Sequence, residues 1–248
     1  MRYLMRFSYD GSSFSGYQKQ PNKRTIQGEI EKVLYQVNGN QPVSLVASGR
    51  TDAKVHAYNQ SAHFDLQKTY DSKRLLHALN KMLPKDIYIR QLEVVPPEFH
   101  ARFDVIKKQY CYKINLGEYN PLERAYVYQY GKNLAIEKMK EASNFLLGTH
   151  DFRSFTKQDE EKEDYRRTLY AITYEQQGSL LCISFCGSGF LRYMVRNLVG
   201  TLIEIGNGKR LPSSIPDILN AKDRSKAGMT APPEGLYLQF VEYESEVC

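Results

Sequence analysis

The sequence predicts an α+β protein of two halves, each a layer of helices on a largely antiparallel sheet. Three observations lead there. Runs of two-residue alternation recur along the chain, stripes of helical period are interleaved with them, and Pro96-Pro97 separates two such series. The halves are residues 1–104 and 105–248.

The elements follow in order. Residues 1–9 alternate as a strand with Tyr3, Met5, Phe7 and Tyr9 on one side, and Asp10-Gly11-Ser12-Ser13 supplies a turn. Thr25 is placed to cap a helix that carries Ile26, Ile30, Val33, Leu34 and Val37 on one face. Residues 43–47 form a strand that runs into Ser48-Gly49-Arg50-Thr51-Asp52. A strand at 61–64 precedes a helix bearing Leu75, Leu76, Leu79, Met82 and Leu83, and a strand at 87–95 closes the half. The second half opens with a long strand, residues 105–116, whose alternation sets Ile106, Lys108, Tyr110, Tyr112 and Ile114 on one face. A helix with Ile136, Met139, Ser143 and Leu146 in register follows, then strands at 168–174 and 180–186. The clearest helix covers 191–205, with an apolar stripe from Leu191 through Leu198 to Ile203 and with Gly206 placed to end it. Residues 236–241 form the last strand, and residues 158–164 read as a charged surface loop.

The composition is that of a globular protein, 42% hydrophobic and 25% charged. No apolar run reaches the ~20 residues of a membrane helix, and the first residues lack the apolar core of a signal peptide. These features point to the cytoplasm. The net charge of +6 favours a polyanionic partner, with nucleic acid the natural candidate. Cys182 and Cys186 lie about 13 Å apart if their run is a strand, which suits neither zinc nor a disulfide. The four cysteines are therefore expected as reduced structural thiols, and the five histidines lack metal-ligand spacing.

The run Ser48-Gly49-Arg50-Thr51-Asp52-Ala53-Lys54-Val55-His56-Ala57 breaks a buried strand and presents a carboxylate beside an arginine. A neighbouring cation favours the ionised carboxylate and so keeps it available as a nucleophile. On spacing alone, the run reads as a structural turn rather than a catalytic one.

That run resembles the signature GRTDxGVHA of the TruA family of tRNA pseudouridine synthases. Further motifs of the family occur in its order. They are Tyr9-Asp10-Gly11-Ser12 with Phe14-Ser15-Gly16-Tyr17-Gln18, then Phe99-His100-Ala101-Arg102-Phe103 and Gln109-Tyr110-Cys111-Tyr112. The stretch from Gly189 to Asn197 and Ala231-Pro232-Pro233-Glu234-Gly235-Leu236-Tyr237-Leu238 complete the series, which spans nearly the whole chain. The resemblance implies two subdomains joined into one extended central sheet. It implies isomerisation of uridine to pseudouridine on the 3′ side of the tRNA anticodon stem-loop, by a homodimer that needs no redox cofactor, metal or ATP. Asp52 is then the nucleophile, attacking C6 of uracil or C1′ of the ribose or assisting a glycal route. Tyr110 stacks on the target base, Arg196 pairs with the catalytic carboxylate and Leu236 walls the base pocket. A uridine must leave its stack to be reached. Arg50 is placed to fill the vacated space or hold the backbone, while Arg102 and Lys54 are candidate phosphate contacts.

Two positions depart from the family pattern. Lys54 stands where the family has Gly, which implies ordinary backbone geometry or accepted strain, and Tyr17 replaces a Trp. Both bear on the RNA target, so the same chemistry on a ribosomal RNA hairpin is the alternative within the class. A non-catalytic RNA-binding module is the alternative outside it, and it has no use for Asp52, Tyr110 and Arg196 together.

Overall fold

The computed structural model describes residues 1–157 and 164–244. The charged loop expected at 158–164 falls almost wholly outside these residues, as does Cys248. Among the described residues there are ten strands and five α-helices, and the chain forms two compact units. The mixed α+β class is the expected one.

The first unit comprises Met1–Ile106 with the chain from Tyr237 onward. Its sheet has the order β4 (Ile87–Val95), β1 (Arg2–Tyr9), β3 (His56–Asp65), β10 (Leu236–Tyr243), with the short β2 (Val46–Ala47) paired to β3. β1 is antiparallel to both neighbours, with Met5 opposite Ala62 and Leu92, whereas β10 runs parallel to β3 with Tyr237 opposite His56. Tyr3, Met5, Phe7 and Tyr9 are all buried, as their alternation requires, and Tyr3 stacks on Phe64 at 5.6 Å. Helix α1 (Ile26–Val37) starts where Thr25 caps it, its hydroxyl accepting from the Gly28 N–H at 3.3 Å. Asp71 caps α2 (Ser72–Met82) through the Arg74 N–H at 2.9 Å. The α2 stripe is narrower than its leucines suggest: Leu75, Leu79 and the flanking Leu83 are buried, while Met82 is exposed.

The second unit, Lys107–Leu236, contains β5 (Val105–Asn115) from Lys107 on, β6 (Tyr128–Gln129), α3 (Ile136–Asn144), β7 (Gly148–Asp151), β8 (Arg166–Gln177), β9 (Leu180–Gly187), α4 (Met194–Gly206) and α5 (Ser214–Ala221). The sheet order is β5-β9-β8-β7, antiparallel throughout, with β6 added parallel to β5. Helix α4 is almost entirely buried, with Leu198, Val199 and Leu202 inaccessible.

Further details differ from the sequence reading, among them the start of β3 at His56 where a strand was expected only at 61–64. The strand expected at 43–47 is reduced to Val46–Ala47. Helix α4 begins at Met194 rather than 191, because Tyr193 takes left-handed backbone at φ 63°. Gly206 is the last helical residue and Asn207 is the cap. The role of Gly206 is close approach, since a Cβ there would stand 2.7 Å from the Met139 sulfur of α3. Cys111, Cys182 and Cys186 are free thiols. The neighbour of Cys182 is Cys111 on the adjacent strand, and their hydrogen bond together with burial pushes the Cys182 thiol up. Among the described residues, no helix is long and apolar enough to cross a membrane.

Candidate functional site

In the first unit the turn between β2 and β3 carries Arg50, Asp52 and Lys54. Its entry is anchored by Ser48, whose N–H donates to the Ser61 carbonyl at 2.8 Å and whose hydroxyl donates to Gln60 Oε1 at 2.7 Å. Gln60 returns its amide to the Gly49 carbonyl at 3.1 Å. Thr51 is buried, and its hydroxyl meets the Tyr9 phenol at 2.7 Å. The Val55 N–H closes the turn on the Asp52 carbonyl at 3.2 Å. Asp52 is half-buried at the crest, while Arg50 and Lys54 are exposed on either side of it.

The segment Asp10–Tyr17 lies across this turn. The Tyr17 N–H donates to the Thr51 carbonyl at 3.0 Å and the Lys54 N–H to the Phe14 carbonyl at 3.4 Å. A Cβ on Gly11 would overlap the Val55 carbonyl. The Gly11 N–H donates to His56 Nδ1 at 3.1 Å, which fixes that ring nitrogen as an acceptor. Arg24 holds the segment from outside, stacked over Phe14 at 4.2 Å and bonded to Asp86 at 2.7 and 3.0 Å. Two motifs forty residues apart thus build one clamp around Asp52. Lys54 adopts φ 64°, so the departure from the family's Gly is met by accepted strain.

Sequence reasoning passed over the aromatic residues beside this turn. Tyr237 stacks on His56, 4.7 Å away, and on Tyr58, 5.1 Å away, its ring plane 18° from parallel to each. Their signal was available in the two-residue spacing of His56 and Tyr58 on β3. Arg102 sits on a separate turn of the same unit and is exposed. Its neighbour Phe103, given no site role in the sequence reading, is 73% exposed and stacks on His100 at 4.2 Å.

Tyr110, Arg196 and Leu236 belong to the second unit. Tyr110 lies on β5 opposite Phe185 and is buried, with the edge of its ring against Phe190 at 5.1 Å. Arg196 stands in the first turn of α4, half-buried. Its Nε donates to the Ala231 carbonyl at 2.7 Å, and the Ala231 N–H donates back to the Arg196 carbonyl at 3.0 Å. Its guanidinium also lies 5.4 Å from the centre of the Tyr193 ring. The segment around Ala231 rests directly on α4: a Cβ on Gly200 would overlap the Met229 carbonyl, and buried Asn197 accepts from Arg224 and Thr230 at 2.9 and 2.7 Å. Leu236 is buried at the end of this segment, where the Tyr112 phenol donates to the Pro232 carbonyl at 2.7 Å.

A family model described as tRNA pseudouridine synthase matches residues 5–104 and 142–244. Among curated relatives, a tRNA pseudouridine synthase A of Anoxybacillus flavithermus is 46% identical over 96% of this chain and 97% of its own length. One of Geobacillus kaustophilus is 48% identical over 96% of this chain and 93% of its own. One of Streptococcus agalactiae is 46% identical over 100% of this chain and 97% of its own.

Proposed function

The chain belongs to the tRNA pseudouridine synthase family, and from that premise we propose that it isomerises uridine to pseudouridine on the 3′ side of the tRNA anticodon stem-loop with Asp52 as its nucleophile. The observation that carries the reading is the clamp around Asp52. An acid that merely ended a strand would need no second segment laid across its turn, whereas a nucleophile must be held in place while a base turns over it.

The reaction rearranges one nucleotide. The bond from N1 of uracil to C1′ breaks, the base rotates, and C5 bonds to C1′. C5 loses its proton and N1 gains one, so composition and oxidation state are unchanged. Attack at C6, attack at C1′ and the glycal route all require an ionised carboxylate at position 52. Tyr110 supplies an aromatic face for the uracil and a phenol able to pass a proton. Arg196 supplies the countercharge that keeps the carboxylate ionised, and Leu236 an apolar wall. Arg50, Lys54 and Arg102 contact the backbone of the flipped strand. The enzyme works in the cytoplasm as a homodimer that holds one tRNA.

Pseudouridine mapping on unmodified tRNA and ribosomal RNA fragments, with the wild type and Asp52→Ala, tests this. Product in the anticodon arm that vanishes in Asp52→Ala is the expected result. Product confined to ribosomal RNA keeps the chemistry and overturns the target. Tight binding without product in any RNA overturns the enzymatic assignment. Sedimentation of the protein alone and with tRNA tests the dimer.

A further inference from the structure

The C-terminal end of α4, about 15 Å of helix beyond Arg196, borders a cavity of about 540 Å³. Its walls include Tyr128, Tyr130, Lys132, Asn207, Lys209 and Met229. Three features define its chemistry. The first is aromatic lining: Tyr128 and Tyr130 face the cavity with ring centres 5.9 Å apart and planes at 61°, and buried Tyr112 backs Tyr128 edge to face at 6.4 Å. Met229, 41% exposed, adds a polarisable apolar surface. The second is charge. Lys132 and Lys209 are exposed at the rim, and the carboxylate lining the cavity, Glu204, is already engaged by Arg210 at 2.6 Å and by the Met229 N–H at 3.0 Å. The third is rigidity. The N–H groups of Tyr130 and Gly131 both donate to the Asn115 carbonyl at 3.0 Å, the Ala135 N–H ties the same segment to Gly206 at 2.8 Å, and Asn207 donates to the Tyr130 phenol at 3.2 Å.

A fixed aromatic face beside two ammonium groups is the chemistry that recognises an unpaired nucleotide, the base stacking on the ring and the phosphate meeting the cations. We propose that this cavity is an RNA subsite separate from the Asp52 turn, which takes one unpaired nucleotide of the substrate with its base on Tyr130 and its phosphate between Lys132 and Lys209. The proposal rests on the reading of the chain as an enzyme acting on RNA, and it deepens that reading by giving the substrate a second point of attachment.

The test is binding of an unmodified tRNA transcript between 50 and 200 mM salt, followed by fluorescence. It compares the wild type, the double variant Lys132→Ala/Lys209→Ala, Tyr130→Ala, Tyr130→Phe, and Lys73→Ala on α2 as a control. The double variant should lower the slope of log affinity against log salt by about 0.7, the value for one single-strand phosphate contact. Tyr130→Ala should weaken binding roughly tenfold and Tyr130→Phe should restore it. Affinities and slopes equal to those of the control overturn the subsite. The lysines are exposed, so their variants decide the question even if Tyr130→Ala melts early. If the wild type binds tRNA but forms no pseudouridine, the functional reading fails, and the salt slopes still decide the cavity.

Discussion

The backbone of Gly16 lies against the backbone of Asp52. A Cβ at Gly16 would stand 3.5 Å from the Asp52 carbonyl carbon, 3.2 Å from the Thr51 oxygen and 3.3 Å from the Ala53 nitrogen, and Gly16 itself sits at φ 102°. Both the conformation and the space are therefore reserved for glycine. Gly16→Ala should displace the Asp52 turn by a few tenths of an ångström and cost about 1–3 kcal/mol of stability. Its kcat should fall on the order of tenfold or more, because positioning of the reacting group contributes strongly to rate. Denaturant melts with steady-state kinetics check this. A wild-type kcat in a folded Gly16→Ala protein would show that the clamp is dispensable.

Lys54, two residues beyond Asp52, holds a left-handed backbone at φ 64° that a side chain tolerates poorly. Lys54→Gly should raise stability by about 1 kcal/mol, a shift of a few degrees in Tm for a chain of this size. It should also weaken RNA binding and its salt dependence, if the strain is retained for a phosphate contact. Thermal melts and salt titrations separate the two effects. A lower Tm in Lys54→Gly would mean that the lysine makes a stabilising contact outweighing the strain.

How far the sequence revealed these features follows from the range of the interactions. Helix α4 was legible because its stripe through Leu198 and Leu202 is local, and Thr25 announced α1 because capping acts within three residues. Helix α5 was not, since it has eight residues with Pro216 among them and carries only Ile215, Ile218 and Leu219 as an apolar face. The Asp52 turn was visible as a motif. That Asp10–Tyr17 clamps it depends on contacts across forty residues, which no local periodicity records. The left-handed turn at Tyr193 was hidden for a related reason: tyrosine has no preference for that geometry, and the surrounding tertiary contacts impose it.

Tyr17 is 3% exposed, and its phenol oxygen has no hydrogen-bond partner among the described residues. A buried hydroxyl without a partner costs free energy, and burial pushes its ionisation well up, so it stays neutral. Tyr17→Phe should leave the fold intact and stabilise it by up to about 1 kcal/mol. Chemical denaturation reads this directly. A clear loss of stability would mean that the phenol is hydrogen-bonded in solution.

Acid sensitivity should arise at His63. Its Nδ1 accepts the Ala101 N–H at 3.0 Å, and its pKa is lowered to about 4 by burial, then by Arg2 and His100. The unfolded imidazole titrates near 6.5, so between pH 6.5 and 4 the unfolded chain binds the extra proton. Stability is thus intact above pH 6.5 and falls as pH drops through that window, by about 1–3 kcal/mol in all. Asp65, held low by its hydrogen bond to Arg2, acts only below this range. His63→Asn keeps an acceptor for Ala101 without a titrating group, so its stability profile from pH 6.5 to 4 should be flatter. An unchanged slope would assign the acid sensitivity to other groups.

Helix α4 begins in strain, and the strain serves Arg196. Tyr193 is the N-cap residue at φ 63° with no side-chain capping bond, and its ring meets the guanidinium of Arg192 at 5.0 Å and that of Arg196 at 5.4 Å, with Arg192 also donating to its phenol at 3.2 Å. Left-handed backbone costs a tyrosine about 1–2 kcal/mol, and each cation–π contact returns about 0.5–1 kcal/mol. Stability alone therefore gives little reason to place a tyrosine there. What the ring adds is a restraint on the Arg196 guanidinium besides the hydrogen bond to the Ala231 carbonyl at 2.7 Å. Tyr193→Gly removes strain and ring together, so its stability should remain within about 1 kcal/mol of wild type while kcat falls severalfold. Tyr193→Phe keeps the ring face and should keep the rate. A structural role alone would lower stability and leave kcat untouched, so wild-type kcat in Tyr193→Gly would refute the assignment of Tyr193 as a positioning residue.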